Sequence, residues 1–161
     1  MVMTVNDQRP TGPRTHWWRN VPLPEAHLIA SGLAALLHLI APLRIPMTRR
    51  TASVAGWPVV AVALSLATWA VGSATRAGVT VDRTDGLVRH GAFRVSRNPM
   101  YVAWSLGLIG VATLMRSLWL LLGAVVASAI IHGDVLREEV VLDRAFGEEY
   151  RAYRAATPRY F

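Results

Sequence analysis

The sequence contains no cysteine and no lysine, so all 17 of its basic residues are arginine. Without thiols there is no disulfide framework and no thiolate metal site, and the chain carries no sign of its redox compartment. It also lacks a Walker-type loop, a GxGxxG turn and an HExxH helix. These absences exclude the common nucleoside-triphosphate, dinucleotide and zinc-hydrolase motifs. His27, His38 and His132 stand singly on apolar stretches. They read as hydrogen-bonded packing residues, and no metal is expected. No internal repeat or low-complexity tract is visible, and no apolar core of a signal peptide begins near Met1, so cleavage there is not expected.

What the sequence has is hydrophobicity. Of 161 residues 53% are hydrophobic, and the mean hydropathy is +0.33, high for an ordinary soluble domain. The net charge of +7 does not point to nucleic acid, because the arginines flank apolar runs instead of lining one amphipathic face. A hydrocarbon core about 30 Å thick takes about 20 helical residues to cross. Four segments approach that length: 26–43, 53–75, 99–115 and 117–133. The last two form a hairpin turning at Met115–Arg116–Ser117, since one helix over both would be about 50 Å long. The runs are continuous and rich in Ala and Leu, which argues against strands. The expected fold is an all-α polytopic membrane protein of about four transmembrane helices, with a C-terminal cytoplasmic amphipathic segment. Residues 1–25 form a polar tail bearing Trp17–Trp18, and residues 26–161 form one membrane domain.

Orientation follows from arginine. The N-terminal tail, the loop between the second and third spans and the C-terminal tail hold 13; the opposite connections hold four, Arg44, Arg49, Arg50 and Arg116. The positive-inside rule places both termini and the middle loop in the cytoplasm, with an inner-membrane location expected.

Two polar stretches then fall on that side, 86–101 and 134–161. The first follows a turn signal at Asp85–Gly86 and ends in Asn98–Pro99, an N-cap residue followed by a proline suited to a first helical turn. A helix N-terminus with Arg94 and Arg97 beside it can hold a carboxylate or phosphate. In the second, Asp134 and Glu138 share a helix face while Glu139 points about 100° away. Val140, Val141, Leu142, Phe146, Tyr150 and Tyr153 continue an amphipathic pattern, broken at Gly147 and ended by Pro158, which would fold back on the membrane or over the spans. A plainer reading competes: border arginines reach for headgroups, and Glu138 and Glu139 pair with Arg137, Arg144 or Arg97.

Taken in order, Gly91, Phe93, Arg94, Arg97, Asn98, Pro99 and Tyr101, then a hairpin, then Glu138, Glu139, Leu142, Phe146, Gly147, Tyr150, Tyr153, Pro158 and Arg159 form a pattern. It resembles the isoprenylcysteine carboxyl methyltransferase family and the related phospholipid methyltransferases over about Gly86–Phe161. The resemblance implies a membrane methyltransferase that uses S-adenosylmethionine. The cofactor would be bound at Phe93, Arg94, Arg97, Asn98, Pro99, Tyr101, Glu138 and Glu139, with Arg97 and Glu138 in the catalytic roles. It also implies a lipophilic small-molecule acceptor bearing a carboxylate, amine or thiol, membrane lipid as surroundings, and no nucleic acid; oligomeric state is not legible. Asn98 stands where many members have His, Ala92 where Pro is usual and Ala103 where Gly often follows the Tyr. Asn can exchange hydrogen bonds but cannot titrate. The rival readings are a nicotinamide-dependent reductase of the sterol-reductase type, whose K-Y-G-x-x-W ending is absent, and a non-catalytic membrane subunit.

Overall fold

A computed structural model describes residues 25–77 and 86–161. The N-terminal tail with Trp17–Trp18, and Asp85 of the turn signal, lie outside the described residues. The described chain is helical: α1 Glu25–Ile40, α2 Arg49–Arg76, a 3₁₀ turn Gly91–Arg94, α3 Pro99–Met115, α4 Leu118–Phe146 and α5 Glu148–Ala156.

Local chemistry sets the boundaries. The first apolar segment was expected to run to residue 43, but α1 stops at Ile40 because Pro42 disfavours helix at Ala41 and removes an N–H. Helix α2 begins at Arg49, earlier than expected, because the Thr48 hydroxyl accepts the Thr51 N–H at 3.1 Å. The α3–α4 turn lies where the sequence places it. Arg116 adopts the left-handed conformation (φ 52°), and the Ser117 hydroxyl caps α4 by accepting the Leu120 N–H at 3.2 Å. Helix α4 then runs without a break from its apolar start into the charged segment. It stops at Gly147, whose φ of +51° glycine adopts at little cost.

Helix α3 is central, packed against α2 on one side and α4 on the other, and α1 packs on α4. Helices α1 and α2, although consecutive, do not form a substantial interface. At one end of the bundle the α1–α2 loop pairs with the α3–α4 turn: Ile45 N–H donates to Arg116 O at 2.8 Å and Leu118 N–H to Leu43 O at 3.0 Å. At the other end lie the start of α3, the 3₁₀ turn, the end of α4 and α5.

The interior is made of small side chains. Of the 17 buried hydrophobic residues among those described ten are alanine, while Leu36, Leu39, Ile40, Trp57, Val62 and Val125 are exposed. Large apolar groups outside and small ones inside are the arrangement expected in lipid, where close backbone approach replaces the hydrophobic drive. Gly56 and Gly110 show why: a Cβ on Gly110 would come 2.7 Å from the Val60 side chain and 3.1 Å from its backbone N. Helices α2 and α4, at 28 and 29 residues, are long and apolar enough to cross a membrane; α1 and α3 are shorter, at 16 and 17.

Candidate functional site

The site is built on the helix end where α3 starts. The segment leading into it is anchored by Gly91, which has a φ of +62° and lies so close to Ser73 of α2 that no Cβ would fit. The Ser73 hydroxyl accepts the Ala92 N–H at 3.1 Å. The 3₁₀ turn is thereby held against α2, and the chain enters α3 through Ser96, Arg97 and Asn98.

Three charges from distant parts of the chain meet there. Glu139 receives Arg97 Nη1 at 3.0 Å, and from the other side Arg159 Nε and Nη2 at 2.8 and 2.9 Å in a two-pronged contact. Arg97 and Glu139 side chains are 8% and 9% exposed, so this is a buried pair sealed by a third charge that is 34% exposed. Arg97 Nη1 also donates to the Tyr150 hydroxyl at 3.1 Å, and its Nε is buried with no hydrogen-bond partner among the described residues. Burial pushes the Glu139 carboxyl up. The Arg159 hydrogen bonds and the charges of Arg97, Arg159 and Arg154 outweigh that and hold it below the ordinary carboxylate value.

The C-terminal segment, residues 157–161, is tied across the start of α3. Arg97 N–H donates to Pro158 O at 2.9 Å, and Ser96 Oγ and Asn98 Nδ2 both donate to Arg159 O, at 3.2 and 3.1 Å. Asn98 holds the N-cap position, as its place before Pro99 predicts, but its side chain makes no cap bond. It is pulled instead to the Arg159 carbonyl, where a donor is needed. Tyr153 completes the strapping, donating to Phe93 O at 2.6 Å; burial pushes its phenol up, so it remains a donor. Helix α5 docks through these tyrosines, both buried, while Val140 and Val141 stay exposed.

Glu138 faces the other way. It is exposed and makes no ion pair among the described residues. Its carboxyl is nevertheless raised, first by the protein around it, which weakens hydration, and then by repulsion from Glu139. Asp134 and Glu138 both lie close enough to act electrostatically on the Tyr101 hydroxyl. Asp134 pairs with the exposed Arg137 at 2.9 Å. Tyr101 and Asp134 line a cavity of about 730 Å³ with Glu25 and apolar residues of α1 and α4, among them Ile29 and Ile131. A smaller one of about 260 Å³ lies between Tyr101, Ser105, Ser128 and Tyr160. Tyr160 is held there by His132, Nδ1 to hydroxyl 2.8 Å.

The predicted residues therefore divide. Arg97, Asn98 and Glu139 come together with the C-terminal segment, while Tyr101 lines the cavities with Glu138 within electrostatic reach of it. Pro99 is buried at the first turn of α3. Phe93 contributes its carbonyl, and Arg94 is exposed on the 3₁₀ turn, with no ion pair among the described residues. Sequence reasoning missed Ser73, Ser96 and Tyr160. Only Ser73 had a signal, a small polar residue that could accept a glycine turn, and that signal is weak.

No curated protein and no solved structure matches the chain. A family model described as phospholipid methyltransferase matches residues 51–149, which include α2, the entry to α3, the hairpin and both glutamates. With more than half of its length matched, and with motif residues of both polar stretches gathered at one end of a small-residue bundle, this membrane protein belongs to the phospholipid methyltransferase family.

Proposed function

We propose that the chain is an S-adenosylmethionine-dependent methyltransferase that crosses the membrane four times and methylates a lipophilic small molecule at the cytoplasmic face. The observation that supports this most is the separation of the two adjacent glutamates. Glu139 is consumed in fastening the C-terminal segment over the start of α3, which leaves Glu138 open and within electrostatic reach of Tyr101.

The donor set fits the cofactor. Its carboxylate suits Arg97 Nε, which has no partner among the described residues, and its ammonium suits Glu138, with Asp134 near. The Tyr101 hydroxyl can serve a sugar hydroxyl, and a cavity with a polar rim and apolar walls suits the base. Asn98 and Glu139 act as positioning residues that hold the segment; Phe93 and Pro99 shape the entry to α3, and Arg94 lies at its rim. When bound, the cofactor supplies a methyl group on a sulfonium, already a good leaving group. The protein's share is to hold the acceptor in line and to keep water out. A carboxylate or thiolate acceptor needs no base, and for an amine Glu138 is the proton acceptor.

The topology supports the cytoplasmic assignment. At the end carrying the site the described residues include Arg76, Arg89, Arg94, Arg97 and the five arginines of 134–161, against four at the other end. Helices α1 and α3 are each about 24–26 Å long at 1.5 Å per residue, so they cross only where the bilayer thins or polar ends begin early.

The test is titration of detergent-solubilised protein with S-adenosylhomocysteine and with NADPH. Binding of the first, lost in Glu138→Ala, is the expected outcome. Binding of NADPH without the adenosyl compound overturns the proposal in favour of a reductase. Arg97→Ala is the poorer probe, because it also breaks the contacts to Glu139 and Tyr150.

A further inference from the structure

The Arg97 guanidinium is enclosed. Its Nη1 is engaged by Glu139 and by Tyr150 of α5, its main-chain N–H by Pro158 O, and its Nε is buried with no partner among the described residues. A charged donor buried without an acceptor is costly. No ligand reaches that nitrogen while its cover is in place, so a ligand that uses Arg97 requires the cover to move.

The cover has two parts, held in different ways. Helix α5 is packed down by Tyr150 and Tyr153, both buried, with the Tyr153 hydroxyl on Phe93 O. It ends at Thr157, which is buried, gives its N–H to Tyr153 O at 3.0 Å and turns the chain into an extended conformation. Beyond it, Pro158 is exposed and has no N–H to return to the helix. Residues 158–161 are attached to the start of α3 and to α4 by polar contacts: Arg97 N–H on Pro158 O, Ser96 Oγ and Asn98 Nδ2 on Arg159 O, Arg159 on Glu139, and Tyr160 with His132. The two side-chain fastenings lie at the surface, where Arg159 is 34% exposed and His132 is exposed. Polar contacts at the edge of water exchange for water at small net cost, which the tyrosine packing cannot do. When Arg159 leaves, Glu139 keeps Arg97, so lifting this segment isolates no buried charge.

Beneath the segment lie Arg97, the fully buried Ser96 and the cavity that Tyr160 shares with Tyr101. Lifting it opens all three to water at once. We propose that residues 158–161 are a latch, hinged at Thr157–Pro158 and fastened by Arg159 on Glu139, that lifts to admit the carboxylate of a water-soluble ligand to Arg97 and closes over it. This rests on the methyltransferase reading in identifying the ligand as the cofactor. The motion of the latch stands without it.

The experiment uses full-length protein in lipid nanodiscs. The chain has no cysteine, so each introduced thiol is unique. Ser96→Cys should react slowly with a water-soluble maleimide, and about tenfold faster when Arg159→Ala removes one charge-assisted fastening. Ser117→Cys, equally buried at the far end of the bundle, should react at one rate with or without Arg159→Ala. In a second arm His132→Cys and Tyr160→Cys are joined by a short bis-maleimide in the presence of radiolabelled S-adenosylhomocysteine. Joined before the ligand is added, the protein should exclude it; joined afterwards, it should retain it. A site that is only distorted by the link would lose the ligand in both orders. Labelling of Ser96→Cys that ignores Arg159→Ala, equal acceleration at Ser117→Cys, or free exchange of ligand in the joined protein overturns the proposal. If Ser96→Cys does not fold, the joined pair, at more exposed positions, decides alone. Latch-dependent labelling of Ser96→Cys in a protein that never binds S-adenosylhomocysteine would leave the latch standing and remove the methyltransferase reading.

Discussion

At the scale of single residues, Glu138 and Glu139 are neighbours with opposite environments, and pH separates them. The Glu139 carboxyl is lowered by its arginines, so its stabilising charge is present above the ordinary carboxylate value and is lost as pH falls through its lower folded value. Glu139→Ala should destabilise the protein by about 3–5 kcal/mol, because it leaves Arg97 buried without its partner. Chemical denaturation in detergent, followed by fluorescence, measures this. Glu138 has the opposite sign: its carboxyl is raised, so as pH falls it gains a proton before an ordinary carboxylate does. If it holds the cofactor's ammonium, S-adenosylhomocysteine affinity should decline across that window on acidification. Glu138→Gln should bind weakly and with a flat pH profile. A wild-type affinity that is constant through the window would remove Glu138 from the site.

Between elements, the contacts are close and intolerant of added atoms. Gly110→Ala gains about 1 kcal/mol in helix propensity. Its Cβ would press on Val60, against both side chain and backbone, and overpacking costs about 1–3 kcal/mol. The expected net effect is a lowered unfolding midpoint, since the backbone of α2 cannot move away as a side-chain tip can. Ser117→Ala removes the hydroxyl that caps α4 at a fully buried position and should cost about 1 kcal/mol. Thermal unfolding of both variants in the same detergent checks the two values. Here the sequence was a good guide: Met115–Arg116–Ser117 read as a tight turn. The Asn98 side chain was less legible. Its cap position follows from the local pattern, but the Arg159 carbonyl that claims it is 61 residues away.

For the whole molecule the decisive property is its two-ended polarity. Arginines collect at the end bearing the start of α3 and the C-terminal segment, and few lie at the α1–α2 and α3–α4 connections. Reporter fusions to either terminus should be active only in the cytoplasm, and a reporter inserted near Arg116 only on the far side. A C-terminal fusion active outside would require an odd number of crossings and would move the site to the other face.

The sequence by itself determined the helical class, the limits of α3, the hairpin, the end where charge gathers and the motif that places the chain in its family. All of these depend on runs of neighbouring residues: hydropathy, caps, glycine and charge beside apolar stretches. Tertiary structure alone decided that α1 packs on α4 and not on α2. It also decided that Arg159 and Arg97 neutralise Glu139 and not Glu138, and that the partner of His27, which reads as a hydrogen-bonded packing residue, is Ser105 of α3. The physical reason is range. A turn or cap is set within four residues of chain. The partner of a buried charge is set by which distant segments lipid packing brings within 3 Å.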